Sequence, residues 1–278
     1  MRALGFLTAK AAATAALAFG LWPTMGAACG VDTDCQLGER VYRIAMPESG
    51  AATGAVIFNH GYRGSQKGAM RNKALIEYAH GQGMALVSTK SADEDWQIPG
   101  VPSDPSVDGA EELAYFDALN AALEAEHGID PNRLVVSGFS AGGMMVWNLA
   151  CHRGASYAGF VPIAGTFWEP VPAECPSGAV NLVHVHGTSD KIVPLTGRKI
   201  AQTKQGSIFD ALQMISTVGA YGDRVPVPPQ GDLTCAARFA DGGELLGFCT
   251  HPGGHSFKIE YLAKAMELLQ GSGALPAE

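Results

Sequence analysis

The sequence predicts an α/β protein, a single domain with a mainly parallel central sheet and helices on both faces. Short apolar runs alternate with longer amphipathic ones along the 278 residues, the pattern of repeated βαβ units. No internal repeat or low-complexity linker interrupts that alternation. A composition of 47% hydrophobic and 17% charged residues suits a large buried core.

Arg2 and Lys10 flank the start of an apolar, alanine-rich stretch that runs to Leu21 and is followed by "GAA" at residues 26–28. This is the pattern of a signal peptide over residues 1–28 with cleavage before Cys29, leaving residues 29–278 as the mature domain. The apolar stretch is short for a bilayer span, so the expectation is a secreted or periplasmic protein with no stable membrane insertion. Gly26 stands where a lipid-attachment signal carries leucine, which argues against a lipoprotein. Removing the leader takes away Arg2 and Lys10. Nineteen basic against 27 acidic residues become 17 against 27, and the net charge goes from −8 to −10. So acidic a chain does not suit a nucleic-acid partner.

From there the elements follow in order. "GAVIFNHG" (residues 54–61) reads as a buried strand, residues 67–83 as one helix, "MALVSTK" (84–90) as a strand and residues 108–128 as a long helix. The strand "RLVVSG" (133–138) leads into the helix "AGGMMVWNLACH" (141–152), where Trp147 reads as core. Strands "GFVPIAG" (159–165) and "VNLVHVHG" (180–187) come next. Residues 90–109 and 219–232, rich in Pro, Asp and Gly, read as long surface loops, which are often functional.

All six cysteines (Cys29, Cys35, Cys151, Cys175, Cys235 and Cys249) follow the leader, and an even set in an exported chain implies disulfides. In "CAARFADGGELLGFC" the end cysteines flank Gly242 symmetrically, so a β-hairpin would set Cys235 opposite Cys249 at bridging distance. Cys29 with Cys35 and Cys151 with Cys175 then follow by proximity.

"GFSAG" (residues 138–142) matches G-x-S-x-G, a serine on a sharp strand-to-helix turn. Glycines two positions from Ser140 leave room for such a turn, and the helix N-terminus behind it offers N–H groups and a positive dipole end to an oxyanion. The alternative is a helix-capping serine. A serine nucleophile needs a base, and the base an orienting carboxylate, in the chain order serine, acid, histidine. Asp190 ends the strand with "HVHGTSD" and His255 follows the hairpin in "THPGGHSF". Asp210 lies in a helical stretch, and Asp223 and Asp232 follow no clear strand. His255 is preferred to His251 because a glycine pair precedes it, allowing a close turn. His184 and His186 alternate on one strand without a carboxylate or cysteine to complete a metal set, so they read as structural, as does His60. The second oxyanion donor is expected in "NHGYRGSQ", where Gly61 lets the backbone turn and the N–H of Tyr62 joins that of Ala141.

Through "HGYRGS", "SGFSAGGMM", "HVHGTSDKIVP" and "GGHSF", the chain resembles exported esterases of the polyhydroxybutyrate depolymerase-like and feruloyl esterase-like kind, in the α/β-hydrolase superfamily. The resemblance spans most of the mature chain and implies an α/β-hydrolase fold, with Ser140 as nucleophile, Asp190 as acid and His255 as base. It implies hydrolysis of carboxylic esters, either polyester oligomers or hydroxycinnamoyl esters, with no metal or organic cofactor. Relatives commonly continue the histidine motif with an aromatic and a proline, whereas here it reads "GGHSFKIEYL". Tyr62 gives the oxyanion loop an aromatic, in which it resembles cutinase-like and poly(ethylene terephthalate) hydrolases, where such a residue helps clamp an aromatic acyl group. Trp168 after the strand "GFVPIAG" and Trp96 in the loop 90–109 are candidate substrate contacts, with ordinary packing as the alternative for each. An acetyl esterase, a serine peptidase and a non-catalytic binding protein on the same fold are the competing readings.

Overall fold

The computed structural model describes residue 1 and residues 29–275; the leader expected over residues 1–28 lies, apart from Met1, outside the described residues. The described strands are β1 (Cys35–Leu37), β2 (Arg40–Ala45), β3 (Gly54–Asn59), β4 (Met84–Thr89), β5 (Leu134–Phe139), β6 (Gly159–Ile163), β7 (Leu182–Gly187), β8 (Lys199–Ile200), β9 (Thr203–Lys204), β10 (Val225–Gln230), β11 (Leu233–Phe239) and β12 (Leu245–His251). Ten of them form one sheet in the order β1-β2-β4-β3-β5-β6-β7-β12-β11-β10, while β8 and β9 make a small separate ribbon. The six strands from β4 to β12 run parallel to one another. An antiparallel pair closes each side.

Alternation of side chains along the central strands divides the core in two. Val56, Val135 and Val161 face one layer with α2 (Lys73–Gly81) and α6 (Ile259–Gly271), which presents Leu262, Ala265, Met266 and Leu269 at helical spacing. Ile57, Val136 and Phe160 face the other, against Phe116 and Leu119 of α3 (Ala110–His127), Trp147 of α4 (Ala141–His152) and Ile215 of α5 (Ile208–Val218). Both faces of the parallel sheet are thereby covered, as such sheets require.

Two segments depart from expectation. Residues 67–83 are not one helix: α1 (Gln66–Met70) stops, and Asn72 caps α2 by accepting from the Leu75 N–H at 3.2 Å. A side chain that caps a new helix competes locally with continuation of the old one. Residues 219–232 are not a loop throughout, because residues 225–230 form the outermost strand β10. Its three prolines, Pro226, Pro228 and Pro229, mimic a loop in composition but are tolerated at a sheet edge, where half the backbone N–H groups face away from the ladder.

The structure links Cys29 to Cys35, Cys151 to Cys175 and Cys235 to Cys249. The last pair is directly opposed in the β11–β12 ladder. No described helix is long and apolar enough to cross a membrane.

Candidate active site

Ser140 stands between the end of β5 and the start of α4 with φ 58° and ψ −121°, a conformation L residues adopt at a cost and only where the surroundings impose it. The surroundings do so through close packing: a Cβ on Gly142 would fall far inside contact distance of the Asn59 carbonyl, and one on Gly138 would collide with the Gly142 backbone. Only glycine lets β3, β5 and α4 approach this closely. The Ser140 N–H donates to the Ile163 carbonyl of β6 at 2.9 Å, which holds the turn to the sheet.

His255 lies on the loop between β12 and α6 with Nε2 2.9 Å from Ser140 Oγ. Its Nδ1 is 2.7 Å from Asp190 Oδ2. Asp190 follows β7, and its Oδ1 accepts from the N–H groups of Ile192 at 2.8 Å and Val193 at 2.9 Å. Burial alone would push the Asp190 carboxyl up, but the hydrogen bonds from His186, His255 and the two amides hold it well below the usual carboxylate range. Asp210 is on α5, while Asp223 and Asp232 flank β10; the carboxylate hydrogen-bonded to His255 is that of Asp190. His251 is turned to Tyr261, with Nδ1 3.2 Å from its hydroxyl and the rings stacked at 4.2 Å.

Around this trio a cleft of about 510 Å³ opens over Ser140 and Ala141, walled by Tyr62, Trp168, Met144 and Ile192, with Asp95, Ser103, Arg198 and Gln205 among its polar members. Ala141 is the first residue of α4, so its N–H has no acceptor within the helix. Tyr62, 56% exposed, stands at the rim beside it. Burial raises the Asp95 carboxyl to about 6. Gln205 is buried in the wall, and its Oε1 has no partner among the described residues.

Trp96 is a correction to the expected substrate contacts. It is completely buried, its indole N–H donates to the His60 carbonyl at 2.8 Å, and its ring packs between His60 and Phe116. It braces the backbone next to Tyr62 from below. Gly61 differs from expectation too: it has no positive φ, and an added Cβ would make ordinary contacts with the Phe139 carbonyl and Ser140 Cβ at 3.4 Å each, so neither conformation nor space demands glycine there. His60 accepts from the Ser91 N–H at 3.2 Å, and burial lowers it to about 4, which keeps it neutral.

Two contributors escaped the sequence reading. His186 points its Nε2 at the Val193 carbonyl at 2.7 Å and at Asp190 Oδ2 at 3.4 Å, and His184 Nε2 lies 2.9 Å from His186 Nδ1, so a buried pair of imidazoles backs the carboxylate. The "HVHGTSD" spacing holds the signal, since His186 precedes Asp190 by four residues at the strand end. Phe139, beside the serine, lies against the His255 ring at 4.7 Å.

A parallel sheet with a serine on the elbow after one strand, a carboxylate after a later strand and a histidine after the last parallel one is the α/β-hydrolase arrangement, and this chain has that fold. Residues 114–216, which include Ser140 and Asp190, match the family model described as Phospholipase/Carboxylesterase. NocK of Nocardia uniformis subsp. tsuyamanensis, provisionally named an esterase, is 30% identical over 58% of this chain and 48% of its own length. A "Probable feruloyl esterase C" of Aspergillus terreus is 32% identical over 53% of this chain and 51% of its own. The chain thus spans about half the length of the curated relatives it matches. Among solved structures, the acetyl xylan esterase of Aspergillus awamori superposes with a TM-score of 0.62 at 13% identity, covering 86% of this chain and 98% of that one. The Bacillus cereus carboxylesterase gives 0.57 at 13% identity, covering 84% and 95%. At these identities the likeness establishes the fold, while the sequence relatives carry esterase names, in line with the resemblance.

Proposed function

We propose that the protein is an exported serine esterase that cleaves carboxylic esters through an acyl-enzyme. The observation that carries this reading is the continuous line from Asp190 Oδ2 through His255 to Ser140 Oγ, at 2.7 and 2.9 Å. His255 Nε2 takes the Ser140 proton as Oγ attacks the ester carbonyl, and Asp190 holds the Nδ1–H tautomer and stabilises the imidazolium. The N–H groups of Ala141 and Tyr62 receive the oxyanion, with the α4 N-terminus adding its dipole. His255 then gives its proton to the departing alkoxide, and a water activated by the same imidazole releases the acid.

The cleft suits an acyl group with an apolar body and a hydroxyl. Trp168 and Tyr62 line it with aromatic rings, and Ser103 and Arg198 supply polar groups for such a hydroxyl. Hydroxyacyl oligomers and hydroxycinnamoyl esters both meet this description, and relatives named feruloyl esterase C support the second. Three disulfides favour an oxidising compartment and agree with a leader at residues 1–28.

The test compares wild type with Ser140→Ala on p-nitrophenyl acyl esters, methyl ferulate, acetylated xylan and a hydroxybutyrate oligomer. The expected result is turnover reduced by about 10⁴-fold or more in the variant. Turnover that survives the substitution, or folded wild type inert on every ester, would refute the reading.

A further inference from the structure

We infer that a second, apolar pocket, set apart from His255 by the Phe139 ring that packs on it, receives the alcohol half of the ester, and that this alcohol is an aryl or alkyl group and not a sugar. The inference rests on the esterase reading and adds the leaving-group side to it. The pocket has a volume of about 210 Å³ and is walled by Phe58, Phe139, Phe257 and Leu75, with Gly61 and Gly68 among its borders.

Position argues for the alcohol. The leaving oxygen must lie within hydrogen-bond reach of His255 Nε2 to be protonated, so the alcohol departs over the histidine. Phe139 packs on the His255 ring at 4.7 Å and also walls the pocket. Phe257, two residues beyond His255, meets Phe58 at 5.1 Å and Phe139 at 6.4 Å. Towards the nucleophile the pocket is bordered by Gly61, where even a methyl group would touch Ser140 Cβ. The larger cleft with Trp168 lies over Ser140 and is left for the acyl group.

Chemistry argues for an apolar alcohol. None of the residues lining this pocket is Asp, Glu, Lys or Arg, whereas the larger cleft has Asp95 and Arg198. The polar groups present are mostly engaged: His60 is neutral with its nitrogens on Gly61 and Ser91, and Asn72 Oδ1 holds the Leu75 N–H. A sugar placed here would lose water from several hydroxyls with Ser65 as its main remaining partner, an unfavourable exchange. A volume below the roughly 300–1,000 Å³ of drug-sized sites fits one ring or a short alkyl chain.

The test holds the acyl group constant and varies the alcohol, comparing methyl acetate, benzyl acetate and a glucosyl acetate. Wild type is expected to favour benzyl over methyl acetate by roughly tenfold in kcat/KM, the scale of burying one ring, and to show no gain with the glucosyl ester. Benzyl alcohol should inhibit competitively where methanol does not. Gly68→Leu adds bulk at the pocket border, where a new Cβ would have only Ser65 Oγ near it, at 4.0 Å, and Phe257→Ala removes a wall. Each should cut the benzyl-to-methyl ratio several-fold. Ser140-dependent turnover with a flat alcohol profile in wild type, or a ratio that neither variant changes, overturns the pocket assignment alone. Absence of Ser140-dependent turnover of every acetate overturns the esterase reading and this inference with it.

Discussion

Both oxygens of Asp190 are occupied, Oδ1 by two backbone amides and Oδ2 by His255, with His186 within 3.4 Å beneath. These donors favour the ionised carboxylate in the folded protein, so its folded pKa is depressed relative to the unfolded chain. The sign follows: the stabilisation is present above about pH 4 and is lost as pH falls through the lowered folded value. His186→Phe removes a donor, so acid unfolding should begin at higher pH than in wild type, read by circular dichroism. The same variant should lower kcat/KM about tenfold, with partial recovery in His186→Gln, which keeps a donor. A variant with unchanged acid unfolding and unchanged turnover would show that His186 merely fills space. The sequence displayed His186 four residues before the acid, but alternation along a strand does not tell which hydrogen bonds an inward-facing imidazole makes. That Ser140, Asp190 and His255 come together was legible because each follows a strand end marked by glycine and turn residues.

The loop 90–109 forms one side of the cleft through Asp95, Pro102 and Ser103, and a buried carboxylate helps fasten its first half. Glu112, in the first turn of α3, accepts from the N–H groups of Ala92 and Gln97 at 3.1 Å each and pairs with Arg40 of β2 at 2.8 Å. Its side chain is completely buried, so Glu112→Ala leaves two amides without their acceptor and the Arg40 guanidinium without its counter-charge. We expect a loss of about 3 kcal/mol in urea unfolding, together with weaker substrate binding as the loop loosens. A loss below about 1 kcal/mol would mean that other contacts fasten the loop. Length and composition announced this loop, yet the same cues misread β10, because edge-strand prolines and loop prolines look alike in sequence. Trp96 was misplaced for a related reason: a loop residue is presumed exposed until a tertiary partner, here the His60 carbonyl, is seen to bury it.

Around the central sheet, the alternation of apolar and amphipathic runs was enough to foresee helices on both faces, but β1 and β2 went unread because β1 has only three residues and β2 sets two arginines among its apolar residues. The bridge Cys151–Cys175 ties the end of α4, the helix that follows Ser140, to the segment after β6 across 24 residues. Replacing both cysteines with serine should cost about 3 kcal/mol, lowering Tm by roughly 8 °C. An unchanged Tm would show that packing alone holds this end of the helix. The whole arrangement converges on one hydroxyl, and labelling it decides the account: the intact protein is treated with a fluorophosphonate and the modified residue is mapped by peptide mass spectrometry. A single adduct on Ser140, much slowed in His255→Ala, is the predicted result; a folded protein that takes no label, or takes it on another residue, would contradict the account.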